Sequence, residues 1–292
     1  MATETSALAA LSNDIATTVE RAGASVVAVE ARARLGSTGF YVRPNLVLTA
    51  DHALESDDVE IVAAGGTTES GTIVGRDPST DLALVRTLSP GVPLSLAPNN
   101  GLRVGAIALA VARDDDGDLA ASMGVISAVG GAWRTWHGGE IDRFVRPDLS
   151  LYPRFAGSPL LDVDGNVLGL NTSGLSRRQT LTIPASTIDR VVNVLLARGG
   201  RIPRGYLGVH LQAIPSGVII LGIERDGPAD RGGLIVGDVI TAIGGEKVSD
   251  VGDVHARLGP GSVGTTLTID VLRGGAPTKL DVAIGERKER EE

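Results

Sequence analysis

The sequence predicts a mainly-β chain: an antiparallel barrel or sandwich followed by a second, smaller unit. Three observations lead there. Apolar residues make up 42% of the chain but aromatics only 3%, so the core must be built from Val, Leu, Ile and Ala, which cluster in short strand-like runs. The 39 glycines supply turns at close spacing. Between residues 25 and 183 no long amphipathic stretch interrupts the strands.

In chain order, Thr5–Arg21 carries Leu8, Leu11, Ile15 and Val19 at helical spacing and reads as a short amphipathic helix packed on the body of the protein. Strands are expected at Val26–Ala31, Gly39–Val42, Leu46–Thr49, Val59–Ala63, Thr72–Arg76, Leu82–Arg86, Ala106–Val111, Met123–Val129 and Asp142–Arg146. Between them lie turns such as Pro98-Asn99-Asn100-Gly101 and an acidic hairpin tip, Asp114–Asp118. Pro159–Val163 and Val167–Asn171 form a further hairpin around Asp164-Gly165-Asn166. Pro184–Arg198 is a helix by its Ile188, Val191, Val192, Leu195 and Leu196 spacing, and Gly199-Gly200 ends it. A helix after a run of strands closes a domain, which sets a boundary near residue 203. The remainder carries a short helix near Val251–Leu258, strands Thr265–Leu272 and Lys279–Ile284, and a charged tail over residues 287–292.

A net charge of −8 argues against a general nucleic-acid binder, which needs a basic face. With no cysteine, disulfides, thiol nucleophiles and Cys-based zinc sites are excluded. No two histidines share a helical metal-ligand spacing, Asp114–Asp118 departs from a calcium loop at Leu119 and Val125, and no glycine-rich loop precedes Lys-Ser/Thr. Neither a metal nor another cofactor is therefore expected. The start lacks a basic region followed by an apolar one, so no signal peptide is expected, and no apolar run reaches the roughly 18 residues of a membrane helix. The compartment stays open: cytoplasmic, or extracytoplasmic if a leader has been trimmed.

Of the histidines, His137 reads as part of a hairpin tip, and His210 and His255 as structural or surface residues. His52, in VLTADHAL, follows an apolar strand, and Asp81, in GRDPSTDLALVR, sits where a turn meets one. Alone, each is an ordinary structural residue. Together with the small-residue turn at Ala156 they stand in the order His, Asp, nucleophile position used by one class of serine hydrolase. There His takes the proton of Ser, Asp fixes the imidazole tautomer, and backbone N–H groups hold the oxyanion.

Five ordered segments make the likeness specific. LTADHAL, GRDPSTDLALVR, LRVGAIALAV, GVISAVG and VLGLNTSG with LTIPAS resemble the HtrA/Deg family of trypsin-like serine proteases, which carry a C-terminal PDZ domain. The resemblance implies a trypsin-like double six-stranded β-barrel followed by a small α+β PDZ domain. It divides the chain into an N-terminal helical segment (1–24), a protease domain (25–203), a PDZ domain (204–286) and a tail (287–292). It makes His52 the general base, Asp81 its orienting carboxylate, Arg154 and Ala156 the oxyanion-hole positions, and Leu151 part of the specificity pocket. That apolar pocket implies a preference for aliphatic rather than basic side chains. Tyr206-Leu207-Gly208-Val209 matches the PDZ carboxylate-binding loop, where backbone N–H groups hold a peptide C-terminus. The implied partners are unfolded or exposed chains and C-terminal peptides. A homotrimer through the N-terminal segment is implied too, although Met1–Ala24 has no aromatic residue of the kind such contacts use.

The family's nucleophile segment reads Pro-Gly-(Asn/Phe)-Ser-Gly-Gly-Pro-Leu. Here it reads Pro153-Arg154-Phe155-Ala156-Gly157-Ser158-Pro159-Leu160. A methyl group cannot attack a carbonyl, and Ser158 occupies a glycine position and should point elsewhere, so the chain as written should not cleave peptides. Two origins fit: an introduced Ser→Ala exchange, favoured by the retained His52 and Asp81, and a natural pseudoprotease, favoured by Arg154 where Gly is usual. The retained pair tips the reading slightly to the first.

Overall fold

The structure, a computed structural model, describes residues 6–31, 36–97, 102–136, 138–176 and 179–286. The turn at Pro98–Gly101, His137 and the charged tail lie outside the described residues. The chain divides into two compact units, one of residues 1–133 with 140–201 and one of residues 134–139 with 202–292.

The first unit opens with helix α1 (Ala7–Gly23), whose N-cap is Ser6: its hydroxyl oxygen accepts the Ala9 N–H at 3.3 Å. Only the second half of the periodic face packs, with Ile15 and Val19 half-buried. Leu8 and Leu11 are exposed, whereas Thr18, Ala22 and Gly23 at the far end are buried. Polar contacts anchor that end, with Thr18 Oγ1 donating to the Val163 carbonyl at 3.2 Å and Arg21 to the Asp164 carbonyl at 2.6 Å.

Strands β1 (Val26–Glu30), β2 (Ser37–Arg43), β3 (Leu46–Thr49), β4 (Val59–Val62), β5 (Thr68–Asp77) and β6 (Leu82–Arg86) close into a barrel in the order β1-β2-β3-β6-β5-β4. Residues two apart point to the same side of a strand, so Val27 and Val29, Val59 and Ile61, and Ala83 and Val85 meet Tyr41 and Val47 in one cluster. The alternate set, with Phe40, Leu48 and Leu84, is also buried, which is why β3 and β6 read as continuous apolar runs.

Next come β7 (Ile107–Arg113), β8 (Leu119–Val129), the short β9 (Trp133–Arg134) and β10 (Glu140–Ile141), then β11 (Val145–Asp148), β12 (Pro159–Leu161), β13 (Val167–Thr172) and β14 (Leu181–Pro184). Six of these form a second sheet in the order β11-β8-β7-β12-β13-β14. Its core gathers Ala108, Ile126, Val145, Leu160 and Leu168. The β7–β8 hairpin keeps its register to Arg113–Leu119, so β8 starts four residues before the expected Met123, and the acidic segment is its turn. Helix α2 (Ala185–Ala197) follows and buries Ile188, Val191, Val192 and Leu195.

The second unit holds β15 (Gly205–Tyr206), β16 (Val209–Ile214), β17 (Gly217–Ile223), α3 (Pro228–Arg231), β18 (Val239–Ile243), β19 (Glu246–Lys247), α4 (Val251–Arg257), β20 (Thr266–Arg273), β21 (Ala276–Ala283) and β22 (Gly285–Glu286). Its sheet runs β16-β17-β18-β20-β21, with β19 beside β18, and β16 lies at the edge. Leu207, Val218, Ile220, Ile240, Val254, Ile269 and Val282 form its core. Asp250 and Asp253 start α4 with a reciprocal capping box.

Asp238 is fully buried, and Arg273 meets it with two hydrogen bonds, Nε to Oδ1 at 2.9 Å and a terminal nitrogen to Oδ2 at 2.8 Å, while the Ile235 N–H adds a third. The Arg273 hydrogen bonds hold the Asp238 carboxyl below its usual range, against the effect of burial. A depressed carboxylate stabilises the fold above its unfolded pKa, and that contribution disappears as pH falls through the folded value. Asp238→Asn is therefore expected to lower the melting temperature at pH 7, with the gap from the parent chain closing below about pH 4; calorimetry over pH 3–7 checks it, and a gap that does not change with pH contradicts it.

Candidate active site

His52 sits in a single 3-10 turn, Asp51–Ala53, directly after β3. Arg76, near the end of β5, fastens that turn: Nε donates to Asp51 Oδ1 at 2.6 Å, and a terminal nitrogen donates to the carbonyls of Asp51 and Leu54 at 3.2 and 3.0 Å. Burial pushes the Asp51 carboxyl above its usual range, a rise that Arg76 opposes.

Asp81 stands one residue before β6 and is buried. Its backbone has φ 58°, a conformation that non-glycine residues adopt at a cost. The turn before it offsets that cost: the buried Asp77 carboxylate accepts the Ser79 N–H at 3.1 Å and the Ser79 and Thr80 hydroxyls at 2.5 and 2.6 Å. The Asp81 carboxylate then reaches the imidazole, with His52 Nδ1 3.0 Å from Oδ1 and 2.8 Å from Oδ2, and the His52 backbone N–H donates to Oδ1 at 2.8 Å. An ionised Asp81 accepts only, so the hydrogen sits on Nδ1 and Nε2 is left as the basic nitrogen.

The end of β13 completes the cage. The Thr172 hydroxyl donates to Asp81 Oδ2, and the Gly174 N–H donates to Thr172 Oγ1 at 2.9 Å. A Cβ at Gly174 would stand 2.6 Å from Asp81 Oδ2 and 2.7 Å from His52 Nδ1, so no side chain fits there. Ser173, between them, is exposed and places its Oγ 3.4 Å from His52 Nε2.

The turn at Ala156 docks on β2, the neighbour of the strand that leads to His52. Thr38 N–H donates to the Ala156 carbonyl at 2.9 Å and its hydroxyl to the Arg154 carbonyl at 2.7 Å. Gly157 has φ 83°, and a Cβ there would lie 2.1 Å from the Thr38 carbonyl and 2.6 Å from Thr49 Oγ1. Ser158 is fully buried; its hydroxyl accepts from Asn171 Nδ2 at 3.1 Å, and Asn171 Oδ1 accepts from Thr182 at 2.8 Å, so it is structural, as its position suggests.

One feature differs from the sequence expectation. Pro153–Phe155 forms a 3-10 turn, and the Ala156 N–H donates to the Pro153 carbonyl at 3.1 Å instead of facing an oxyanion. The Arg154 side chain is tied down, 2.9 Å from Asp115 Oδ1 and 3.4 Å from Glu30 Oε1. Burial pushes the Glu30 carboxyl up more than Arg154 pulls it down. The acidic hairpin tip is thus more than a solvated turn: the carboxylates of Asp114, Asp115 and Asp116 lie within 4.8 Å of one another, and Asp115 is paired with Arg154. Leu151 is half-buried against the cluster of Ala110, Ala112 and Phe155.

In the second unit, Leu207 is buried in the core and Val209 packs partly against it. Gly208, at φ 74°, accepts the Glu224 N–H on its carbonyl at 2.8 Å, and Tyr206 donates its hydroxyl to Glu224 at 2.6 Å. Among the described residues neither Leu207 nor Gly208 gives its N–H to a backbone carbonyl, and the next strand, β16, is an edge.

A six-stranded barrel paired with a second six-stranded sheet, a buried Asp on a His, and a small edge-stranded unit later in the chain define a trypsin-like peptidase domain followed by a PDZ domain. Residues 37–170 match the trypsin-like peptidase domain family and residues 205–284 the PDZ domain family. Probable periplasmic DegP-like serine endoproteases of Ectopseudomonas mendocina and Chlamydia pneumoniae are 30% and 29% identical over 270 and 269 residues, covering 86% and 85% of this chain. The chain spans 56% and 54% of those two relatives, about half their length. A solved HtrA-type protease, AlgW with a serine-to-alanine exchange and a decapeptide, superposes with TM-score 0.75 at 26% identity, over 95% of this chain and 98% of that one. The chain thus carries a trypsin-like peptidase domain and a PDZ domain, and across both it is similar to HtrA-type serine proteases.

Sequence reasoning located His52 and Asp81 but not Thr172, Ser173 and Gly174, which were legible only as part of a family segment. Gly174→Ala, placed in a chain with serine at position 156, is expected to lower kcat/KM by about 100-fold or more by displacing the His–Asp pair. Peptide-hydrolysis kinetics alongside circular dichroism check it, and a change of less than threefold contradicts it.

Proposed function

We propose that this chain is an endopeptidase scaffold of protein quality control that retains its general base, His52 oriented by Asp81, and lacks the nucleophilic oxygen at Ala156. In its present sequence it binds unfolded or exposed peptide segments without cutting them, while Tyr206–Val209 engages peptide C-termini beside the β16 edge. The observation that carries the reading is the two-point contact of His52 Nδ1 with the buried Asp81 carboxylate at 2.8 and 3.0 Å. A structural His–Asp pair has no need of a glycine-only neighbour and a capped, positive-φ turn. Preference for aliphatic side chains before the cleaved bond follows from the half-buried Leu151 against Phe155. The periplasmic relatives support an extracytoplasmic place of work, and no helix among the described residues is long and apolar enough to cross a membrane.

A natural pseudoprotease is the second reading. It is favoured by the Ala156 N–H bound to Pro153 and the Arg154 side chain bound to Asp115, both of which hold the turn away from an oxyanion. Hydrolysis requires the Pro153 carbonyl to turn over and release that N–H. The exchange Ala156→Ser distinguishes the two. The endopeptidase reading expects casein hydrolysis at least 10³-fold above the parent chain; a folded but inert variant supports the pseudoprotease. For the PDZ unit, a peptide with a free C-terminal carboxylate is expected to bind at least tenfold more tightly than its C-terminal amide. Equal affinities by fluorescence anisotropy contradict carboxylate capture.

A further inference from the structure

The geometry points to Ser173 as a second nucleophile of this site, one that accepts activated acyl and phosphonyl groups in the chain as it stands. The proposal rests on the His52–Asp81 base described above. Ser173 is exposed, so a small electrophile reaches it, and its Oγ lies 3.4 Å from His52 Nε2, the long end of the range in which catalytic pairs sit before substrate tightens them. Its position is not left to a free loop. Thr172 on one side is bound to Asp81, and Gly174 on the other is bound to Thr172 and packed against the imidazole. The contacts that orient the base therefore also set the Ser173 backbone. With alanine at 156, no nucleophile at that position competes for Nε2.

The step balances without a co-reactant beyond water. Ser173 Oγ forms a bond to the acyl carbon of an activated ester as its proton passes to His52 Nε2, and the phenolate leaves with the electron pair. His52 gives that proton up to solvent, water then gives a proton to the neutral His52 and hydroxide to the acyl carbon, the Oγ–C bond breaks, and His52 returns the proton to the Ser173 oxygen. Amides are poor substrates for this arrangement because their collapse needs oxyanion donors. Two backbone groups close by are already engaged, the Gly174 N–H with Thr172 and the Ala156 N–H with Pro153.

The test uses a biotinylated fluorophosphonate and peptide mapping by mass spectrometry on the full chain, with p-nitrophenyl acetate hydrolysis as a second readout. The expected result is one adduct on Ser173 and measurable ester turnover, both reduced at least tenfold in Ser173→Ala and in His52→Ala, each verified as folded by circular dichroism. The exchange Ala156→Ser runs in parallel. If it labels at position 156 while the parent chain carries no adduct on Ser173, the Ser173 proposal falls and the base stands. If neither chain labels, both fall. Labelling of Ser173 that survives His52→Ala also overturns the proposal, since the hydroxyl then reacts without the base.

Discussion

Everything at this site depends on keeping one carboxylate, that of Asp81, charged and fixed inside the protein. A buried polar group without partners costs several kcal/mol, and a buried unpaired charge more. Asp81 meets that demand with three donors: the His52 backbone N–H, the His52 ring and the Thr172 hydroxyl. Those donors come from both halves of the N-terminal unit. His52 follows β3 of the closed barrel and Thr172 ends β13 of the second sheet, so the carboxylate joins the two. Its own backbone is held in a positive-φ conformation by the Asp77 cap, and the turn that carries His52 is held by Arg76. Remove the carboxylate and the ring loses its orientation, Thr172 its acceptor, and Ser173 its reason to stand where it does.

The turn at Ala156 is governed by a different constraint, close backbone approach. Gly157 has no room for a side chain against Thr38 and Thr49, and buried Ser158 is locked into the chain from Asn171 to Thr182. The turn is thus tightly built on its inner side. On its outer side it is tied by Arg154 to Asp115 and Glu30, and its Ala156 N–H closes on Pro153.

How much of this could be read in the sequence follows from how local each signal was. Strand runs such as β3 and β6 were legible because burial on both sides makes them continuously apolar. His52 and Asp81 were legible because chain order and the segments around them carry the pattern. The tie between Arg154 and Asp115 was not, since the two are separated by 38 residues and meet only because the β7–β8 hairpin folds back with its tip beside the turn. The contact of Ser173 with His52 was not legible for a similar reason: a serine just past a strand gains meaning only when a distant turn places an imidazole against it. The N-terminal helix was legible from its spacing, but how much of it packs was not. Its periodic Leu8 and Leu11 are exposed at one end, while Ile15 and Val19 are half-buried and Thr18 and Ala22 on the same face, with Gly23, are buried at the other.

The central claim is that a functional general base waits beside position 156. The most direct measurement is the second-order rate of fluorophosphonate modification at that position in Ala156→Ser, compared with the same chain also carrying Asp81→Asn. The account predicts modification at position 156 that slows by at least 10³-fold without the carboxylate. A rate that does not respond to Asp81, in a chain that remains folded, would contradict it.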